Sequence, residues 1–178
     1  MKIIYITLPE FFAEEALLIN KFFTDGLEVL HLRKPKAEES DYEKLINEIE
    51  PKYYNRIVLH DYFSLALKYG LRGVHLNSRN PLRPEHFSGT VSKSLHSVQE
   101  VINEKQNFDY VSLSPIFDSI SKEGYNSKFS LDELKILQKQ GVIDEKVYAL
   151  GGVTFDKIEL LKSLGFGGAM ILGAAWRK

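Results

Sequence analysis

The chain predicts an α/β protein of the (β/α)8 or TIM-barrel type, compact, with its last helix truncated or missing. Three observations carry that expectation. Short apolar runs of β type alternate with helical patterns from end to end, and such alternation makes a parallel sheet, because parallel neighbours need a crossover connection. The apolar runs number eight, the count that closes a barrel. No run is followed by the G-x-G-x-x-G turn of an open, doubly wound dinucleotide-binding sheet.

Taken in order, the strands are KIIYIT (2–7), EVLHLR (28–33), RIVLH (56–60), GVHLN (73–77), TVSKSL (90–95), YVSLSPIF (110–117), VYALGG (147–152) and GAMILG (168–173). Between the second and third, DYEKLINEIEPKYY sets Tyr42, Leu45, Ile46 and Ile49 at helical spacing on one face. The connection after the fourth strand is short and punctuated by Pro81 and Pro84, which predicts one turn and no full helix. After Phe117 a polar segment carrying Ser119, Ser121 and Lys122 runs on to a helical pattern near Leu131. Connections of that length without structure of their own are functional or disordered. In DKIELLKSLG the apolar face is Ile158, Leu161 and Leu164, with Gly165 placed as a left-handed C-cap. AAWRK follows the eighth strand, so the last helix is missing or supplied otherwise. A second copy of the chain is one candidate cover for the apolar surface this would expose.

Composition narrows the function classes. With 178 residues and a formal net charge of −1, the expectation is one domain over 1–178 with a full core, and no field that would gather nucleic acid or an anionic membrane. Cysteine is absent, which excludes a disulfide framework, thiolate metal sites and a Cys nucleophile, and fits a reducing cytoplasm. The opening MKIIYITLPEFF reaches Glu10 too early for a signal-peptide core.

In a βα barrel, residues at the C-terminal strand ends and in the loops beyond them face one common mouth. That rule gathers His31, Arg33, Lys34 and Lys36 after the second strand, and His60 and Asp61 after the third. It adds His75, Asn77, Arg79 and Asn80 after the fourth, and Ser94 and His96 on the fifth. Ser119, Ser121 and Lys122 follow the sixth, Gly151 and Gly152 the seventh, and Gly173 the eighth. Cations, hydroxyls and glycines that let backbone N–H groups approach closely suit a phosphorylated small molecule. Each residue also has a plainer reading. Arg33 serves as well in a surface salt bridge, Asp61 as an N-cap for the helix that follows, Gly151–Gly152 as a tight turn, and His75 as a core histidine. His31 and His60 match a metal pair by type only, and no H-x-x-x-H or C-x-x-C spacing supports zinc.

The ordered set of motifs resembles the thiamine phosphate synthases. IVLHDYFSLALKYGLRGVHL resembles that family's INDRxDLALxxGADGVHL stretch, HLRKP its QLREK, SKSLHS its GVSxHS and SPIFDSISK its GPIFPTxTK. VYALGGV resembles VVAIGGI, and GFGGAMILGA resembles GADGVAVxSA. The resemblance implies an enzyme that joins hydroxymethylpyrimidine diphosphate to thiazole phosphate. It implies that Arg33 and Lys122 hold the diphosphate, with Lys34, Lys36, His31 and His60 nearby, and that Asp61 ligates Mg2+ with Asn80 in the second metal position. Ser94 would line the pyrimidine or diphosphate side. Ser119, Ser121, Gly152 and Gly173 would meet the thiazole phosphate. Departures from the pattern accompany it: His31 stands for the family's Gln, His60 for its Asn, Pro35 for a Lys, Asn80 for the second metal Asp and Gly173 for a hydroxyl residue. They leave room for a divergent phosphate-binding relative without turnover. A thiazole tautomerase is the other alternative, against which Pro115 stands where those enzymes place a catalytic His.

Overall fold

The structure is a computed structural model that describes residues 1–118, 127 and 129–177. Its strands run in the order β1 to β8 in a closed parallel barrel: β1 (Lys2–Ile6), β2 (Val29–Leu32), β3 (Ile57–Leu59), β4 (Gly73–Leu76), β5 (Thr90–Leu95), β6 (Tyr110–Leu113), β7 (Val147–Ala149) and β8 (Gly168–Ile171). Among the described residues the α-helices are α1 (Glu15–Thr24), α2 (Glu39–Glu48), α3 (Ser64–Tyr69), α4 (Val98–Glu104), α5 (Leu131–Lys139) and α6 (Ile158–Ser163). No helix among them is long and apolar enough to cross a membrane. The chain divides into two compact units, Tyr5–Val91 and Met1–Ile4 with Ser92–Lys178.

In the unit Tyr5–Val91, parallel pairing sets Leu30 against Ile57, His31 against Val58 and Leu32 against Leu59, then Val58 against Gly73 and Leu59 against Val74. Every residue of β2, β3 and β4 is buried, as parallel strands covered on both faces require. Helix α2 buries Tyr42, Leu45 and Ile46, the stripe its spacing predicts. Full burial of an aliphatic side chain such as Ile46 stabilises the fold by about 1.5–3 kcal/mol. Between β4 and β5 there is no helix, only a turn in which the Phe87 N–H donates to the Pro84 carbonyl at 3.4 Å.

In the second unit, β5 pairs with β6 through Ser94 and Ser112, and Tyr110 stacks on Tyr148 with ring centroids 4.5 Å apart. Strand β6 ends at Leu113, not at the expected residue 117. Pro115 has no N–H to give the ladder, so the apolar run outlasts the strand. Two helices start with reciprocal caps. Ser97 accepts from the Glu100 N–H while Glu100 accepts from Ser97, and Ser130 and Glu133 do the same. Helix α6 ends at Gly165, whose φ of 80° is the left-handed conformation expected there. After β8 comes a single 3-10 turn, Gly173–Ala175.

Candidate active site

The strand ends of Tyr5–Val91 assemble one polar cluster. Beyond β1, the buried Thr7 donates its amide to the His31 carbonyl at 3.0 Å. Its hydroxyl accepts from the Arg33 N–H at 2.8 Å and donates to the Arg33 carbonyl at 3.0 Å. Arg33 is thereby fixed at the end of β2, half-buried. Beyond β4, Asn77 folds its loop on itself. Its side-chain carbonyl accepts the N–H groups of Arg79 and Asn80, and its amide donates to the carbonyls of His60 and His75.

Asp61 sits at the centre. One guanidinium nitrogen of Arg79 reaches its two oxygens at 3.0 and 3.2 Å, Asn80 donates to it at 2.8 Å and the Tyr42 hydroxyl at 3.0 Å. Helix α3 has no side-chain cap, so the N-cap reading of Asp61 gives way to this cluster. Asn80 turns its NH2 towards Asp61 and the His60 carbonyl, so in this arrangement Asp61 is the one anionic oxygen donor of the pair. Mg2+ takes one or two carboxylates together with substrate phosphates, which Asp61 can provide once Arg79 gives way. Lys34, Pro35, Ala37, Asp61, Tyr62, Arg79 and Asn80 line an open cavity of about 260 Å3.

Two of the expected anion-holding lysines differ sharply. Lys36 is exposed. Lys34 is 1% exposed, and its ammonium is spent on both oxygens of Glu15, at 2.7 and 2.8 Å, and on the Glu10 carbonyl at 2.9 Å. Burial pushes the Lys34 amine down and the Glu15 carboxyl up, and each group's charge offsets the shift of the other. With its ammonium committed to Glu15 and the Glu10 carbonyl, Lys34 serves a buried ion pair here, and its place in the substrate-binding set is corrected to a structural one.

The spacing rule against a histidine metal site also misses what the fold does. His31, His60 and His75 lie on three successive strand ends and converge in the core, 0%, 4% and 0% exposed. His31 Nδ1 and His60 Nε2 are 2.8 Å apart. Burial, with the neighbouring imidazoles and Arg33, holds His60 well below its ordinary value, burial and then His75 and Arg72 do so for His31, and burial and then Arg33 lower His75 to about 3. The signal was present in the sequence: three consecutive strands each carry a His within two residues of their C-terminal end.

The second unit has polar strand ends of its own. Ser94 is half-buried on β5 beside Ser112, and at the end of β6 the Ser114 hydroxyl meets His96 Nδ1 at 3.1 Å. Gly152 has φ of 62°, and a Cβ there would lie 2.3 Å from the Asp118 carbonyl oxygen. The glycine is thus required by the backbone of 117–118. Gly173 opens the 3-10 turn after β8. Ser119, Ser121 and Lys122 lie outside the described residues. An apolar cleft lined by Val98, Phe129, Glu133, Ile136 and Leu137 holds no group for chemistry, since the Glu133 carboxylate is taken by its capping box.

A closed eight-stranded parallel barrel with polar side chains at the strand ends defines a βα-barrel protein. The sequence profile of thiamine monophosphate synthases (TMP-TENI) matches residues 3–174, and the chain belongs to that family. It is 45% identical to the thiamine phosphate pyrophosphorylase of Bacteroides thetaiotaomicron, superposing with a TM-score of 0.90 over 99% of this chain and 85% of that one. It is 24% identical over 168 residues to the thiamine-phosphate synthase of Methanobrevibacter smithii, covering 88% of this chain and 78% of that protein. A thiamine phosphate pyrophosphorylase from Pyrococcus furiosus shares the fold, with a TM-score of 0.74 at 20% identity over 97% of this chain and 86% of that one.

Proposed function

We propose that the protein is a thiamine phosphate synthase: it joins hydroxymethylpyrimidine diphosphate to thiazole phosphate and releases diphosphate. The observation that carries the reading is the Asp61 cluster. In a chain of this family it places one carboxylate beside Arg79, with Arg33 anchored at the neighbouring strand end. The reaction breaks a carbon–oxygen bond to diphosphate and forms a carbon–nitrogen bond to the thiazole. Leaving charge must be stabilised in a site that excludes water, and positioned cations supply most of what such a step needs. Arg33, as a planar fork, and Lys122, as a point charge, take the diphosphate oxygens in this reading. Ser94 lines the pyrimidine or diphosphate side, while Ser119, Ser121 and the backbone N–H groups of Gly152 and Gly173 take the thiazole phosphate. Asp61 would hold Mg2+, which would supply further neutralisation of the departing group.

A second reading, a phosphate-binding relative without turnover, draws on Asn80, whose amide NH2 faces the carboxylate where a second acid would help hold metal. One experiment separates the two. Purified protein is incubated with both substrates and Mg2+, and thiamine phosphate is converted to fluorescent thiochrome. Mg2+-dependent product that is lost in Lys122→Ala and Asp61→Asn is the expected result. Absence of product, with thermal stabilisation by either phosphorylated substrate, would establish the second reading. Neither product nor stabilisation would remove both.

A further inference from the structure

We propose that His31, His60 and His75 form a metal site of their own, for a borderline transition-metal ion with Zn2+ the first candidate, separate from the Asp61 position. Each imidazole offers one nitrogen, and the three nitrogens lie within 4.8 Å of one another. A tetrahedral Zn2+ with bonds of about 2.0–2.1 Å separates its nitrogen ligands by about 3.4 Å. The 2.8 Å contact between His31 and His60 must open slightly, and the separations to His75, at most 4.8 Å, must settle at that value. Small rotations of the rings suffice, because the ring centroids are already 4.4–5.0 Å apart.

The backbone that carries these rings is held in place. Leu32 accepts the His60 N–H at 3.1 Å, and the Asn77 amide bridges the carbonyls of His60 and His75. Fixed supports of this kind pre-organise a ligand set. Neutral imidazole nitrogens without thiolate or carboxylate suit Zn2+ and its neighbours and do not suit Mg2+. Three protein ligands leave a fourth position open. Arg33, whose charge is felt at both His60 and His75, favours an anionic occupant there, such as hydroxide. His31 and His60 are 29 residues apart in the chain and meet in space.

The site does not depend on thiamine phosphate synthesis, and its test uses metal binding alone. Full-length protein is stripped with chelator and titrated with ZnCl2 against a chromophoric competitor, then with Co2+ in its place. The expected result is one equivalent bound at sub-micromolar concentration, with visible Co2+ bands of a four-coordinate site and X-ray absorption of the Zn2+ form showing three imidazole nitrogens. His31→Gln with His60→Asn, which keeps hydrogen-bonding side chains at both positions, should lower affinity at least a hundredfold. Binding that persists in a folded His31→Gln, His60→Asn protein would assign the metal to other histidines and overturn the proposal. So would an absorption spectrum of the wild-type protein without three imidazoles, or no binding above background, in which case the trio is hydrogen-bonded packing only.

Discussion

Arg79 grips Asp61 by both carboxylate oxygens, at 3.0 and 3.2 Å from one guanidinium nitrogen. The carboxylate is therefore satisfied before any ligand arrives, and a cation that binds it must compete with a guanidinium. Arg79 is 42% exposed in its side chain, and a half-exposed pair of this kind contributes about 0.2–1 kcal/mol. Arg79→Ala should lower the Mg2+ concentration for half-maximal thiamine phosphate formation by about 1.4- to fivefold. A Mg2+ titration of initial rates measures it; an unchanged or raised midpoint would show that Arg79 does not hold the carboxylate against the metal.

Tyr42 is fully buried, and its hydroxyl both accepts the Lys34 N–H at 2.7 Å and donates to Asp61 at 3.0 Å. Tyr42→Phe leaves a buried N–H without its partner, at a cost of about 1–3 kcal/mol. Urea denaturation should show that loss. The rate should fall as well, because the carboxylate loses one of its supports.

Lys34 and Glu15 make a buried ion pair. Lys34→Met alone strands a carboxylate and should cost about 3–5 kcal/mol, whereas Lys34→Met with Glu15→Leu should recover most of it. If the lysine also held substrate, the double variant would bind diphosphate more weakly in calorimetry. The expected result is unchanged affinity.

The three buried histidines predict acid sensitivity. In the folded protein they resist protonation, with His75 lowered to about 3 and the other two well below 6.5. The unfolded chain binds protons on all three as pH falls through about 6.5, so stability drops in that direction, by about 1.4 kcal/mol per pH unit for each group. Denaturation midpoints measured from pH 7 to 4 should decline steeply, and His31→Gln with His60→Asn should flatten the decline. A flat wild-type profile would mean that the trio is solvated or already charged.

Gly152→Ala combines a φ of 62° with a Cβ that would sit 2.3 Å from backbone oxygen. Left-handed backbone alone costs a non-glycine residue about 1–2 kcal/mol, and the clash adds displacement of 117–118. A loss of thermal stability together with weaker thiazole phosphate binding is expected.

The architecture was readable because each strand announces itself as a short apolar run between helical patterns. All eight were located, and the errors lie at their ends: Ile116 and Phe117 continue the apolar run after β6 has stopped. The capping pairs Ser97–Glu100 and Ser130–Glu133, shown by their reciprocal hydrogen bonds, are start signals that reading by apolar spacing alone passes over. Partnerships were less readable. Nothing local to Lys34 points to Glu15, 19 residues away, and nothing local to Asp61 distinguishes a helix cap from a carboxylate shared by Tyr42, Arg79 and Asn80. The histidine trio escaped for a related reason. Spacing rules describe ligands on one helix or one loop, while here register across three strands brings the rings together.

Thr7 holds the backbone of Arg33 at both its N–H and its carbonyl through one hydroxyl. The mount is thus separate from the tool it carries. Exchanging the guanidinium for another head group leaves both anchoring bonds in place, which makes position 33 a natural point at which to re-engineer what anion the strand end prefers.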